Sequence, residues 1–422
     1  MNSLPNYILL FVLAINTRDA AKLKHCLSIS PGGQEGPIRA KYPEPNDFDL
    51  YQAPEKFRGV IRAHLRLMRA VYVEKSIDQS FVELDDLVNH LIRAGETQTN
   101  WINVPLMNAM FELMAVYKVR ELRHPEEIAS LEFQDVEGSD AKVSALEQLA
   151  NTANKAFKLL LNDKNLELQH SKRMDIYFFL AVLIKIYFKM NKLELAKSIE
   201  KALKGTRFQL PDMKSSVSNK KAAVTYLYYS SLLSLDESDF EASENKLEEA
   251  LDILTGYPPK NKQVEQILLV LLPLKLYNKR ASLKPSLWAQ YPQLKTLYHD
   301  NLFRAISTGN IALFDAKLEQ YQTVFLKNHL YLLIELLRLQ CHLNLIRRTT
   351  SVVRTLNPTP QNHIVPFSAY QKAFEVASSG PMPAPDEVEC ILATMVATGR
   401  IKGYLSHGNR CIVLSKAVPF PA

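Results

Sequence analysis

From Ile176 to Leu345 the apolar residues fall into paired blocks at three- and four-residue spacing, and this restricts the chain to stacked helices more than any other feature. Ile176, Phe179, Leu180, Leu183, Ile184 and Tyr187 make one block, broken at Met190-Asn191. Leu193, Ala196, Ile199 and Leu203 make its antiparallel partner. A second pair runs through Val224, Leu227, Tyr228, Ser231 and Leu232, then Phe240, Ser243, Leu247, Ala250, Leu251 and Leu254. Val264–Tyr277, Leu294–Ile306, Ile311–Phe325 and Asn328–Leu345 continue the series. The units start roughly every 40 to 50 residues with no strict signature, which describes a degenerate helical repeat whose hairpins bury their apolar faces only against neighbours. The Leu-rich run Ile267–Leu276 then reads as a buried helix, kinked at Pro273.

The rest of the composition agrees. The 422 residues include only 13 glycines, about half of average usage, so few positions can take the positive φ that tight β-turns need. Tyr7–Ile15 is too short to span a bilayer and lacks the basic flank of a signal peptide, so it is expected to be a first core helix. A turn-rich stretch, Pro31 to Pro37, follows. Helices are expected at Ile61–Glu74, Phe81–Arg93 and Val104–Arg120, and a polar, acidic loop from Glu126 to Lys142. The four cysteines (Cys26, Cys341, Cys390, Cys411) are scattered, which fits a reducing compartment, nuclear or cytoplasmic, better than a disulfide framework or structural zinc.

The last seventy residues change character. A Pro-rich connector, Ser379 to Pro385, leads to a helix that Asp386 is placed to cap, with Val388, Ile391, Leu392, Met395 and Val396 on its apolar face. The helix should stop at Gly399. Two alternating segments, Arg400–Leu405 and Arg410–Leu414, flank Ser406-His407-Gly408-Asn409, a hairpin signal. Helices followed by a helix and a β-hairpin make a winged helix. The expected architecture is all-α: a right-handed helical-repeat (TPR/HEAT-like) solenoid capped by a C-terminal winged helix with a small β-hairpin. Its expected divisions are 1–170, 171–345 and 346–422.

This layout resembles the PCI domain. The tail Ile401-Lys402-Gly403-Tyr404-Leu405-Ser406-His407, then Ile412-Val413-Leu414-Ser415-Lys416 and Pro419-Phe420-Pro421, is similar to the signature of one PCI subgroup. That subgroup holds the PCI subunit of the TREX type-two mRNA-export complex and its paralogue named signalosome subunit twelve. Lys185 to Leu193, Asn100-Trp101, Leu271 to Lys275 and Arg304 to Asn310 also match, and Ser406 to Val413 is closer to the fungal subunit-twelve type. The resemblance covers nearly the whole chain. It implies a non-catalytic nuclear subunit that pairs with a second PCI protein of the Sac/GANP class and holds a small acidic Dss/Sem protein. The paired winged helices would then form a nucleic-acid-binding platform for mRNA processing or export. The alternative is a purely protein–protein scaffold in a signalosome or ubiquitin-pathway complex.

Motifs for chemistry are missing from the sequence. It has no H-E-x-x-H, no G-x-S-x-G, no phosphate-cradling loop and no dinucleotide fingerprint, so neither enzymatic activity nor a cofactor is expected. Charge is segregated instead. Lys185 to Lys221 carries ten basic residues against three acidic ones. Within it Lys197, Lys201, Lys204, Arg207, Lys220 and Lys221 are the candidates for the acidic partner. From Leu345 onward eight basic residues face four acidic ones, and Arg347, Arg348, Lys372, Arg400, Lys402, His407, Arg410 and Lys416 are the nucleic-acid candidates. Lys402 and Tyr404 share one strand face, with Ile401, Gly403 and Leu405 on the other. The helix from Asp386 to Thr398 carries no Lys or Arg, so a major groove would repel it, and backbone or shape recognition is expected. Trp101 and Trp288 are expected in the core.

Overall fold

The computed structural model describes residues 3–32, 34–123, 144–255, 261–279, 285–356, 363–378, 380, 381 and 383–421. The expected acidic loop and part of the Pro-rich connector therefore lie outside the described residues. The chain forms two compact units, Met1–Ser230 and Ser231–Ala422, divided within the helix Val217–Asp236.

In the first unit the helices Leu4–Asn16 and Ala20–Leu27 pack together and Ala20–Leu27 packs on Asn103–Arg123, while Glu55–Arg69, Ile77–Gly95, Asn103–Arg123, Ala145–Leu161, Ile176–Lys189 and Leu193–Lys204 each pack on the next. Side-chain caps fix several starts: Asp19, Ser76 and Ser144 accept the N–H groups of Lys22, Gln79 and Glu147. Phe11, Phe57, Phe81, Phe157 and Phe179 are fully buried in the core. Tyr7–Ile15 lies in the first helix as expected, although Leu9 and Leu13 face outward. Of the tryptophans, Trp288 is buried, whereas Trp101 is half-buried and donates its indole N–H to Gln98.

One turn recurs between helices. Arg18, Asn191, Ser238, Gly309 and His329 each take a left-handed conformation, with φ between 49° and 72° across all such turns and the wing. The residue after each donates its N–H five positions back: Asp19 to Ala14, Lys192 to Tyr187, Asp239 to Ser234, Asn310 to Ala305 and Leu330 to Phe325, at 2.8–3.0 Å. This is the Schellman closure, and it turns the chain without a loop. Only Gly309 among the five is a glycine, since a Cβ there would meet the Leu345 backbone at 2.8 Å.

In the second unit Phe240–Ile253 packs on Lys262–Lys279, and Tyr331–Leu356 packs on Arg304–Thr308 and Ile311–Lys327. The helix Lys262–Lys279 continues through Pro273. Proline supplies no N–H to the Leu269 carbonyl four residues back, and the Tyr298 hydroxyl donates to it at 2.6 Å. The expected helix Leu294–Ile306 is built mostly of wide π-turns, Lys295–Phe303. The last long helix continues to Leu356, past the expected end at Leu345.

The C-terminal part is a winged helix with one strand more than the sequence suggested. β1 (Ile364–Pro366), the helices Phe367–Ser378 and Pro385–Ala397, then β2 (Gly403–Ser406) and β3 (Cys411–Leu414) follow in order. The sheet is antiparallel in the order β1-β3-β2. Asp386 does not cap its helix. Ala384 holds that position with Pro385 at the first turn, and the Asp386 carboxylate is used elsewhere. Gly399 ends the helix with φ of 70°.

Candidate nucleic-acid interface

Strand alternation sets the surface of the wing. Val365, Ile412 and Leu414 point inward and are fully buried, closing the sheet over Val388, Leu392 and Met395. The opposite face carries one rung of Ile364, Val413 and Tyr404, paired across the three strands. Tyr404 is 62% exposed there. Gly403 is required because a Cβ would overlap the Val413 carbonyl. The segment after β3 folds back over the start of β2: Ser415 donates to the Lys402 carbonyl and Lys402 donates to the Pro419 carbonyl, both at 2.8 Å. This clasp fixes the Lys402 backbone while its side chain stays exposed, beside Tyr404 on the solvent face.

The wing tip is different. The turn from His407 to Arg410 closes with a bond from the Arg410 N–H to the His407 carbonyl at 3.1 Å, and the left-handed residue is Arg410 (φ 49°), not Gly408. That geometry aims both basic side chains at the N-terminus of the helix Pro385–Ala397. Arg410 contacts Asp386 at 2.8 Å and Glu389 at 3.5 Å, and His407 contacts Glu389 at 2.8 Å. The Arg410 hydrogen bond holds the Asp386 carboxyl below its ordinary range. The Arg410 guanidinium is thus held by the acidic start of the helix.

The remaining candidates divide in the same way. Lys372 is paired with Glu375 at 2.7 Å. Arg348 donates to the Thr308 carbonyl at 2.7 Å and so closes the end of a neighbouring helix, and the Arg347 guanidinium lies 5.5 Å over the Phe420 ring. Among the described residues, the side chains of Arg400, Lys402 and Lys416 have no partner, Arg400 being half-buried and the lysines exposed. The eight candidates are therefore not one patch of equivalent cations. The sequence reading omitted Tyr404 from the site; an aromatic beside Lys402 on the outer strand face was the signal for it.

In the first unit, the basic stretch is also partly spent. Lys189, Lys192, Lys197 and Lys204 pair with Glu121, Glu147, Glu194 and Glu200. Glu200 is itself buried and receives the Ser230 hydroxyl at 2.8 Å. Lys201, Arg207, Lys220 and Lys221 have no side-chain partner among the described residues. No group of three or more His, Cys, Asp and Glu among the described residues could hold a metal ion, and no described helix is long and apolar enough to cross a membrane.

The PCI domain profile matches residues 318–416, from within the helix Ile311–Lys327 to the clasp. Protein CSN12 homolog of Debaryomyces hansenii is 53% identical, covering 99% of this chain and 98% of its own. The chain belongs to the CSN12 family of PCI proteins. Other CSN12 relatives are more distant: Cop9 signalosome complex subunit 12 of Saccharomyces cerevisiae is 28% identical over 78% of this chain and 77% of its own. PCI domain-containing protein 2 of Danio rerio is 26% identical over 99% and 98%. The fungal subunit-twelve type indicated by the tail motif is thus the family of the chain, and Gly403 of that tail and Gly309 mark close backbone approaches, whereas Gly408 has open space around it.

Proposed function

We propose that this CSN12-like PCI protein is a non-catalytic scaffold subunit that acts in the nucleus in transcription-coupled mRNA processing, splicing or export. In this reading it pairs with a second PCI protein of the Sac/GANP class and holds a small acidic Dss/Sem protein, for which Lys201, Arg207, Lys220 and Lys221 are the uncommitted cations. RNA or DNA then lies on the outer sheet face of the winged helix. The observation that carries this is the grouping of exposed Lys402 and Tyr404 on one strand face, with Arg400 and Lys416 left without carboxylate partners. Lysines there meet phosphates, and an exposed tyrosine ring offers a stacking surface that is indifferent to base identity.

The test is a salt titration of single-stranded RNA binding by the lone chain and by the chain with its copurifying PCI partner. Lys402→Glu with Lys416→Glu should weaken binding and reduce the salt slope by roughly two. Tyr404→Ala should weaken binding by about 1–3 kcal/mol with the salt slope unchanged. The ion-paired wing tip favours the second reading, a protein–protein scaffold in a signalosome-type complex. Assembly with partners but no RNA binding in any form would select it.

A further inference from the structure

The helices Ile77–Gly95 and Ala145–Leu161 pack side by side, and both end beside one cavity of about 660 Å³. The chain after the second helix is pinned in place there. Arg173, fully buried, donates to the carbonyls of Asp163 and Asn165 at 2.8 and 2.6 Å and lies 4.5 Å over Phe208. The cavity is thus a formed concavity between ordered elements, in the unit that does not contain the winged helix.

Its lining is cationic: Arg93, Lys155, Lys158, Lys164 and Lys172. Two carboxylates, Glu96 and Asp163, oppose them. Both are committed. Glu96 contacts Lys56 at 3.3 Å. Asp163 accepts the Ser171 hydroxyl at 2.9 Å and the Lys172 N–H at 2.7 Å, and the buried Lys172 ammonium lies 3.7 Å away while donating to the Gln98 carbonyl. Among the described residues, Lys155 donates only to the neutral Asn89 side chain. Arg93, Lys158 and Lys164 are exposed and have no side-chain partner among the described residues.

Basic side chains at helix C-termini complement the macrodipole, and that accounts for part of this charge. Two helix ends bring about −0.5 each. Five cations against two carboxylates exceed that demand, leaving a surplus of about two positive charges on the walls. Ile92 and Leu159 add apolar surface to the same lining. The volume lies in the range of about 300–1,000 Å³ that small ligands occupy, and a pocket of this size takes a few phosphates, not a running backbone.

We propose that this cavity binds a polyphosphorylated small molecule. Its phosphates sit against the Arg93 fork and the Lys158 and Lys164 ammonium groups. Any carbon skeleton rests on Ile92 and Leu159. The proposal is independent of the winged-helix reading, because the residues, the ligand class and the variants are all different.

The experiment is isothermal titration calorimetry of the full chain with ATP and, separately, with inorganic tripolyphosphate. Single-site saturation is expected, weakening as salt is raised. Lys158→Glu with Lys164→Glu should weaken it at least about tenfold, since two attractive charges become repulsive, while Lys402→Glu leaves it unchanged. Both lysines are exposed, so an unchanged melting temperature certifies the fold. Tighter binding of ATP assigns an organic polyphosphate, and equal affinity assigns the phosphate chain alone. The proposal is overturned by absence of saturation at millimolar concentration of either probe, or by undiminished binding in the double variant. It is also overturned if single-stranded RNA displaces both probes and itself fails to bind the double variant, which would make the cavity a nucleic-acid contact.

Discussion

Pro273 leaves the Leu269 carbonyl without its helical donor, and the Tyr298 hydroxyl supplies one at 2.6 Å. Removing that hydroxyl alone leaves a part-buried carbonyl without its donor. Tyr298→Phe is therefore expected to cost about 1–3 kcal/mol, seen as a melting temperature lowered by about 2–4 °C per kcal/mol for a unit of this size. An unchanged melt would mean that another group satisfies the carbonyl. At the wing tip the single carboxylate of Glu389 faces both His407 and Arg410. Glu389→Gln keeps the shape and removes the charge. RNA binding should tighten and its salt slope steepen by roughly one, if the tip then reaches a phosphate. An unchanged slope would confine the contact to Lys402 and Lys416.

The Schellman turn between helices ties sequence to fold most directly. Ser238 is exposed and held at φ of 60° in this turn, so Ser238→Gly should stabilise the chain by about 0.5–1 kcal/mol, the relief of left-handed strain exceeding the added chain entropy. Gly399→Ala, with nothing within 4 Å of the new Cβ, should cost only the left-handed penalty of about 1–2 kcal/mol. Gly309→Ala adds a clash with the Leu345 backbone, and should cost roughly 1–3 kcal/mol more. Denaturant melts of the three variants rank them. The helices themselves were legible because three- and four-residue spacing survives without any motif, and the hairpin was legible from its alternation. The turns carry no signature, since Arg, Asn, Ser and His occupy the left-handed position in four of these five helix-to-helix turns. β1 was not legible: three residues ending in proline look like loop, and its partner strand is far off in sequence. Nor were the tip ion pairs, because only the folded wing brings Arg410 to Asp386 and Glu389. The basic cavity escaped for the same reason, its cations coming from two helices and the turn beyond.

Each compact unit holds a histidine that folding keeps neutral. Burial, aided by nearby Arg39, lowers His64 to about 3, and burial, aided by Arg338, lowers His342 to about 4. The unfolded chain takes up these protons near pH 6.5, before the folded chain does. Stability present above pH 6.5 is thus lost as pH falls, by up to about 1.4 kcal/mol per pH unit for each group. Burial raises the carboxyls of Asp85, Glu112 and Asp175, which act in the opposite sense at lower pH. The histidine effect is cleanest between about pH 5 and 6.5, where melting temperature should fall with acid and fall less in His342→Gln. The strand order β1-β3-β2 has a separate consequence, for synthesis. The strand in the middle is the last of the three to be made, roughly 45 residues after β1, an interval of several seconds at about 5–20 residues per second. During that time β1 has no neighbour to pair with, and β2 is completed only just before β3, so the three-stranded sheet is assembled in one late step.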